Sequence, residues 1–321
     1  MKEKQFLKFL QYLNARFELY APVKKGSEIK IGKVVDINDI DFSAQVPVNT
    51  WKNHFVPHGE SLFDFSKGNI NEKIAVASKK ALFGINVLDL RATTLFEHVF
   101  QDDISFQKRR NNSLIIGYSD SWPIDFKKYS IFSHEFEKNV LRHLIFDIFI
   151  ARLKNGEYNF FSGTKYGQDI LEKCKINSYD NIEYAGSSPK TPLDKKMLQL
   201  QEKMAKSFNK KVWKDLGEIC IACGKCSISC PTCFCFDFED KLDPENPGRV
   251  RKWGNCFYND FSRVAGGFKP QDTVKQKIYF WYTHKFVRIP RQYGMPGCVS
   301  CGRCVKVCPV GIKIYEILKK I

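Results

Sequence analysis

Six cysteines crowd into CIACGKCSISCPTCFC at 220–235, and CVSCGRCVKVCPV follows at 298–310. Cys220, Cys223, Cys226 and Cys230 have the spacing C-x2-C-x2-C-x3-C and are followed by Pro231; Cys298, Cys301, Cys304 and Cys308 repeat it and are followed by Pro309. Thiolates at this spacing let one short loop cover three irons of a cubane, while the fourth iron must be reached from elsewhere. In two-cluster ferredoxins the fourth cysteine of each string serves the other cluster. The spacing therefore predicts two 4Fe–4S clusters, one on Cys220, Cys223, Cys226 and Cys308, the other on Cys298, Cys301, Cys304 and Cys230. Gly224 and Gly302 take the same place in each loop, where the backbone turns close to inorganic sulfur and can donate an N–H to it. Ile221, Ala222, Ile228, Val299, Val305 and Val307 are placed to keep water off the clusters, one of the levers on reduction potential. Structural zinc draws four thiolates from well-separated pairs. Two complete three-plus-one strings, each ended by proline, fit iron–sulfur ligation better.

Cys233 and Cys235 in PTCFCFDFED, and Cys256 in KWGNCFYNDF, exceed what two cubanes need. They could bind metal as a third cluster, with a fourth ligand from Cys174, a histidine such as His284, or an acidic residue. The other reading makes them small buried side chains packed near the clusters, a common fate of free cysteine. Both readings are open. Cys174, alone upstream, reads as structural. His54, His58 and Glu60 in HFVPHGE lack the helical H-E-x-x-H pattern and read as packing or solvated groups. FSGTKYG (161–167) is a weak phosphate signal. There is no G-x-G-x-x-G, P-loop or nucleophile elbow, so no catalytic residue is expected.

The loops need a frame, and 321 residues with 43% hydrophobic and 14% aromatic content can supply one. Residues 1–185 alternate strand-like and helical patterns and read as an α/β or α+β docking and scaffold domain. Phe6, Phe9, Leu10, Leu13 and Phe17 share one face of a first helix. Strands are expected at 31–37, 73–78, 82–90, 113–119 and 157–163, and helices near 90–101, 134–153 and 166–174. Residues 186–196 read as a linker of Ser, Pro, Gly and Lys. Residues 197–321 then read as a mainly helical, ferredoxin-like domain. In it Met197, Leu200, Met204, Phe208, Val212 and Leu216 continue a stripe from Leu193, predicting one helix that runs into the first cysteine loop.

The opening MKEKQFLKFLQYLNARF has charges in every apolar run, unlike a signal peptide, and predicts a cytoplasmic protein. The apolar stretch 139–153 contains Arg142, His143 and Asp147 and falls short of the roughly 20 apolar residues of a membrane span. In a reducing compartment, cysteine crowding argues for metal over disulfides. The net charge of +16 suits an acidic partner or nucleic acid. Cubanes with four thiolates carry about two negative charges each and would offset part of it. Lys108, Arg109, Arg110, Lys127 and Lys128 form two short runs, expected in loops as solvated docking sites for acidic partners. A basic metal-thiolate protein that binds nucleic acid is an alternative; it predicts zinc, a colourless preparation and steeply salt-dependent binding. A flavin-containing reductase is another, and would release a yellow cofactor on acid precipitation.

Four segments carry a resemblance: VWKDLGEICIACGKCSISCPTCFCFDFED (212–240), RVRKWGNCFYNDFSRVAGGFKP (249–270), HKF (284–286) and GCVSCGRCVKVCPVGI (297–312). The sequence resembles the iron–sulfur subunit family that includes the beta subunit of cytosolic NAD(P)-linked nickel–iron hydrogenases (sulfhydrogenases) and the corresponding iron–sulfur subunit of anaerobic sulfite reductase. Weaker likeness runs through HFVPHGESLFDF (54–65), LFGINVLDLRA (82–92), LIIGYSD (114–120) and YNFFSGTKYGQDIL (158–171), so it spans most of the chain. The resemblance implies a non-catalytic subunit. Such a subunit passes electrons between a flavin- and 2Fe–2S-containing NAD(P)H-oxidising partner and a nickel–iron hydrogenase or sirohaem sulfite reductase partner. WGNC (253–256) stands where many relatives have W-D-S-C. Leu88 and Tyr118, Ser119 and Asp120 stand where some carry a cysteine, so the resemblance brings no cluster into the first domain.

Overall fold

The computed structural model describes residues 1–65, 69–73, 78–124, 140–186, 195–243 and 245–321. They fall into two compact units. The first comprises Met1–Trp51, Ala75–Ser188 and Val299–Cys301, and the second Lys52–Ile74, Pro189–Cys298 and Gly302–Ile321. Lys52–Ile74 thus lies in the second unit, although the sequence pattern had placed it in the first domain.

The first unit is built on a seven-stranded sheet in the order 28–33, 18–25, 80–85, 113–119, 148–152, 158–162 and 180–181. Its central strands, 80–85, 113–119 and 148–152, run parallel and are almost wholly buried, which demands apolar side chains on both faces. The helix Glu3–Arg16 covers the sheet with Phe6, Phe9, Leu10 and Leu13. Phe17, expected on the same face, follows the helix and is only partly buried.

Two apolar runs fold differently from what their sequence suggests. The strand expected at 82–90 ends at Ile85. Asn86 then caps the helix Val87–Val99, its side chain accepting from the Asp89 N–H at 3.0 Å. A capping side chain satisfies an otherwise orphaned donor and so starts a helix inside an apolar run. In the helix expected at 134–153, residues 134–139 lie outside the described residues and Ile148–Arg152 is a strand. A short apolar run buried on both sides has no periodicity with which to tell strand from helix. Asp147, just before it, accepts from the Ile115 N–H at 2.8 Å and from the Thr164 hydroxyl at 2.8 Å. The expected strand at 73–78 falls mostly outside the described residues. The basic run Lys108–Arg110 is not solvated throughout: Arg109 is buried, and Arg110 pairs with Glu97 and Asp147. Lys127 and Lys128 lie outside the described residues. FSGTKYG serves the fold, since Thr164 caps the helix Lys165–Lys173 by accepting from the Gly167 N–H at 3.0 Å.

The second unit combines helices with a four-stranded antiparallel sheet in the order 236–241, 248–253, 60–64 and 71–72. The sequence pattern led us to expect mainly helix here and gave no sign of the sheet, because Glu60–Asp64 joins Gly248–Trp253 from far away in the chain. Glu60 and Arg251, both buried, form an ion pair across that junction, with Arg251 Nε 3.1 Å from the carboxylate. His58 Nδ1 accepts from the Trp253 N–H at 3.1 Å while staying exposed, whereas Glu60 is buried and packs inside the sheet. The helix expected along 193–216 is two, Lys195–Ala205 and Lys211–Ile219. Between them Ser207 accepts the Trp213 indole N–H on its carbonyl oxygen at 2.7 Å. The helix Val274–Thr283 starts at a capping box formed by Thr273 and Gln276. It passes through a π-helical turn, His284–Arg288, into Ile289–Tyr293.

Candidate metal centres

Both cysteine strings follow the same backbone course. Ala222 and Gly224 have φ of 52° and 73°, and Ser300 and Gly302, at matching positions, have 59° and 74°. A short helix follows each, Lys225–Ile228 and Arg303–Lys306. Closely spaced left-handed residues let a loop turn its N–H groups into a concavity, a form of anion site that recurs around iron–sulfur clusters. Holding non-glycine residues such as Ala222 and Ser300 there costs about 1–3 kcal/mol each.

Gly224 is further constrained. A β-carbon on it would overlap the buried Asn255 amide and lie 3.0 Å from the Tyr258 ring, whereas one on Gly302 would meet nothing within 4 Å. Asn255 Nδ2 donates to the Gly224 carbonyl at 2.9 Å, and Asn255 Oδ1 accepts from the Phe257 N–H at 3.0 Å. Asn255 therefore holds the first loop from outside its own string. Sequence reasoning missed it, because a clamp 31 residues from its target has no local signature.

Cys220, Cys223, Cys226 and Cys308 line one cavity, with Cys304 also on its wall. Its other walls are mostly apolar: Ile221, Phe257, Ile278, Trp281 and Ile312. The cavity offers about 50 Å³ to a water-sized sphere, against the roughly 10–15 Å³ that one water needs. Four sulfurs, apolar walls and this space fit a compact multi-atom thiolate-bound group. Backbone donors already face two of the sulfurs: the Ala222 N–H lies 3.4 Å from Cys220 Sγ and the Ile312 N–H 3.2 Å from Cys308 Sγ. Burial, reinforced by the neighbouring Cys220, Cys230 and Cys223, pushes the Cys226 thiol up to about 12, and burial also raises Cys220. Loading a metal on such thiols must release protons. Cys223 is exposed, so one edge of the cavity reaches the surface.

Cys230 lies in a different setting. It is buried, and Lys285 Nζ donates to its sulfur at 3.1 Å, to Thr232 Oγ1 at 3.0 Å and towards the Gly297 carbonyl at 3.4 Å. The Thr232 hydroxyl in turn donates to the Gly297 carbonyl at 2.7 Å. A hydrogen bond from the Cys233 thiol, followed by the Lys285 ammonium and Thr232, holds the Cys230 thiol well below its ordinary range; Cys233, the donor, is raised. Burial alone would lower Lys285. The negative character of neighbouring cysteine sulfur, Cys230 first, outweighs it and keeps the ammonium well above its usual value. Cys298 and Cys304 both act on the buried Tyr282 hydroxyl, which burial raises first. Cys301 belongs to Val299–Cys301, grouped with the first unit, where it packs with Leu88 and Ala92.

The surplus thiols lie in the second unit. Cys256 is buried and raised, first by burial and then by Cys235 and Cys226. Cys235 is raised by burial, against the pull of Lys285 and Lys52. Lys52, itself buried, stacks on the Trp253 ring with Nζ 4.0 Å from its centroid, and burial lowers it. His284 is lowered to about 4, by burial and then by Lys285 and Arg288, and its ring meets Phe234 at 5.4 Å. Cys174 packs against the core of the first unit, where burial raises it to about 11. Among the described residues, no three His, Cys, Asp or Glu side chains converge on one metal-ion site. A single zinc needs such convergence, whereas each thiolate of a cubane meets a different iron.

Residues 219–312 match the family model of a 4Fe–4S dicluster domain. The chain is 26% identical over 331 residues to sulfhydrogenase 2 subunit beta of Pyrococcus furiosus, and the match covers 98% of this chain and 96% of that protein. No solved structure matches the chain. The two likenesses support the resemblance read from the motifs, and with it an iron–sulfur, electron-transfer protein whose cofactors are 4Fe–4S clusters.

Proposed function

Starting from that likeness to the iron–sulfur beta-subunit family, we propose that the chain is an electron-wiring subunit that works inside a larger oxidoreductase complex. The observation that carries this reading is the apolar cavity where three thiols of one string meet the fourth of the other. In it Cys220, Cys223, Cys226 and Cys308 would hold one 4Fe–4S cluster; Cys298, Cys301, Cys304 and Cys230 would hold the second. Such clusters, when bound, take up and release single electrons. The chain's own residues supply the rest: thiolate ligands, backbone N–H groups aimed at sulfur, and side chains such as Phe257 and Trp281 that exclude water. Cys233, Cys235 and Cys256 are assigned to packing around the clusters, in keeping with the Cys233 thiol donating to Cys230.

The proposed partners are a flavin- and 2Fe–2S-containing subunit that oxidises NAD(P)H and a nickel–iron hydrogenase or sirohaem sulfite reductase subunit. Residues 1–185 are proposed to provide docking and scaffold, 186–196 a linker, and the setting is the cytoplasm. Among the described residues no helix is long and apolar enough to cross a membrane.

Iron and acid-labile sulfide in anaerobically purified protein test this reading. About eight irons per chain are expected for two cubanes, and about eleven or twelve would call Cys233, Cys235 and Cys256 into a third. A colourless, zinc-loaded protein that dithionite cannot reduce would sink the proposal. Identification of co-purifying chains then tests the partners: neither a hydrogenase nor a sirohaem enzyme among them would reject that assignment.

A further inference from the structure

The two fourth cysteines, Cys230 and Cys308, differ in what donates to them. The donor described for Cys308 is the neutral Ile312 N–H. Cys230 receives Lys285, an ammonium with only 3% exposure whose nearest described neighbours are sulfur, hydroxyl and carbonyl. The proton count is full. An ammonium has three protons, and they meet three acceptors, Cys230 Sγ, Thr232 Oγ1 and the Gly297 carbonyl. The Thr232 proton is committed to Gly297, so Lys285 is the charged donor left for Cys230.

The backbone fixes Lys285 in that place. It lies in the π-helical turn His284–Arg288, a local widening frequently found at functional sites. Its carbonyl accepts from the Gly297 N–H at 3.1 Å, and a β-carbon on Gly297 would lie 2.6 Å from that oxygen. Trp281 covers the ammonium, its ring centroid 5.2 Å from Nζ. Lys285 is thus tied to the end of the first string through Cys230 and Thr232, and to the start of the second through Gly297. Hydrogen bonds to ligand sulfur and nearby positive charge both stabilise the reduced, more negative state of a cluster.

We propose that Lys285 is a positioning residue that raises the reduction potential of the cluster ligated by Cys230 above that of the cluster ligated by Cys308. The proposal rests on the two-cluster reading, and it makes the paired cysteine strings unequal: an electron on the chain resides preferentially at the Cys230 cluster.

The test is an EPR-monitored redox titration of the full-length, cluster-loaded protein and of Lys285→Met and Lys285→Gln, with iron counted in each. In Lys285→Met the higher of the two midpoint potentials falls by more than the lower, and in Lys285→Gln, which keeps a neutral donor, that difference is smaller. Two potentials that stay at their wild-type values with full iron content overturn the proposal, as does an equal shift of both. Should the Met variant lose iron, Cys308→Ser in the wild-type background decides: the higher couple survives unchanged if it belongs to the Cys230 cluster, and its loss overturns the assignment. Wild-type protein without reducible iron would reject the two-cluster reading itself, a result distinct from either.

Discussion

Cys230 and Cys308 end strings of equal spacing whose loops share the same left-handed positions and run into the same short helix, yet they face different chemistry. Cys308 opens onto a cavity whose rim reaches the exposed Cys223, and it meets a backbone N–H. Cys230 is sealed with an ammonium, a threonine and the Cys233 thiol. The same ligand pattern can therefore specify one kind of cluster while burial and donors set two different working conditions. What makes the strings alike is local in sequence. What distinguishes them is brought from elsewhere by the fold.

The likeness is broken most severely at a ligand. Cys226→Ala and Cys308→Ala, in opposite strings, are each expected to drop iron from about eight to about four per chain and to remove the same one of two EPR signals. If Cys308→Ala instead removes the signal lost in Cys304→Ala and leaves that lost in Cys226→Ala, each string holds its own fourth iron and the crossing is wrong.

The glycines sharpen the comparison, because they share a backbone angle but not a neighbourhood. Gly302→Ala costs only what a left-handed alanine costs, about 1–2 kcal/mol. Gly224→Ala must also displace Asn255 and crowd Tyr258, so it is expected to lose roughly 3 kcal/mol or more. Urea denaturation of the two anaerobic holoproteins side by side checks the order, and equal losses would mean that the Asn255 contact carries no weight. Asn255→Ala probes the same clamp from the other side. It removes one of the donors to the Gly224 carbonyl, which still accepts from the Ser227 and Ile228 N–H groups, and takes from the Phe257 N–H its Asn255 acceptor, at a cost of about 1–3 kcal/mol.

The readable and unreadable parts of this molecule divide along the same line. Cluster spacing, Gly224 and Gly302, and the face of the first helix with Phe6, Phe9, Leu10 and Leu13 depend on neighbours a few residues away, and all could be read from the sequence. Ile148–Arg152 could not, because a strand buried on both faces of a sheet has lost the alternation that would identify it. Lys285, 55 residues from Cys230, looked like part of an ordinary HKF segment. Glu60 could be read only as a packing or a solvated group, and it is Arg251, 191 residues on, that decides for packing. Charge runs misled for a related reason: Arg109 and Arg110 follow one another in sequence, but the helix Ile104–Asn111 turns both inward, Arg110 onto the buried Asp147 and the half-buried Glu97.

The smallest expected effect separates the strings from the thiols that surround them. Cys256 is buried beside Asn255 and next to Phe257, which walls the first loop's cavity, a place where a sulfhydryl serves as a small apolar group. Cys256→Ala removes one heavy atom, for which about 1 kcal/mol of stability is a typical loss, and leaves the iron count and both EPR signals unchanged. A fall of about three or four irons on this one substitution would have the opposite meaning: Cys256 would be a ligand, and the surplus of thiols after the first string would be a third cluster's donor set rather than its neighbours' packing.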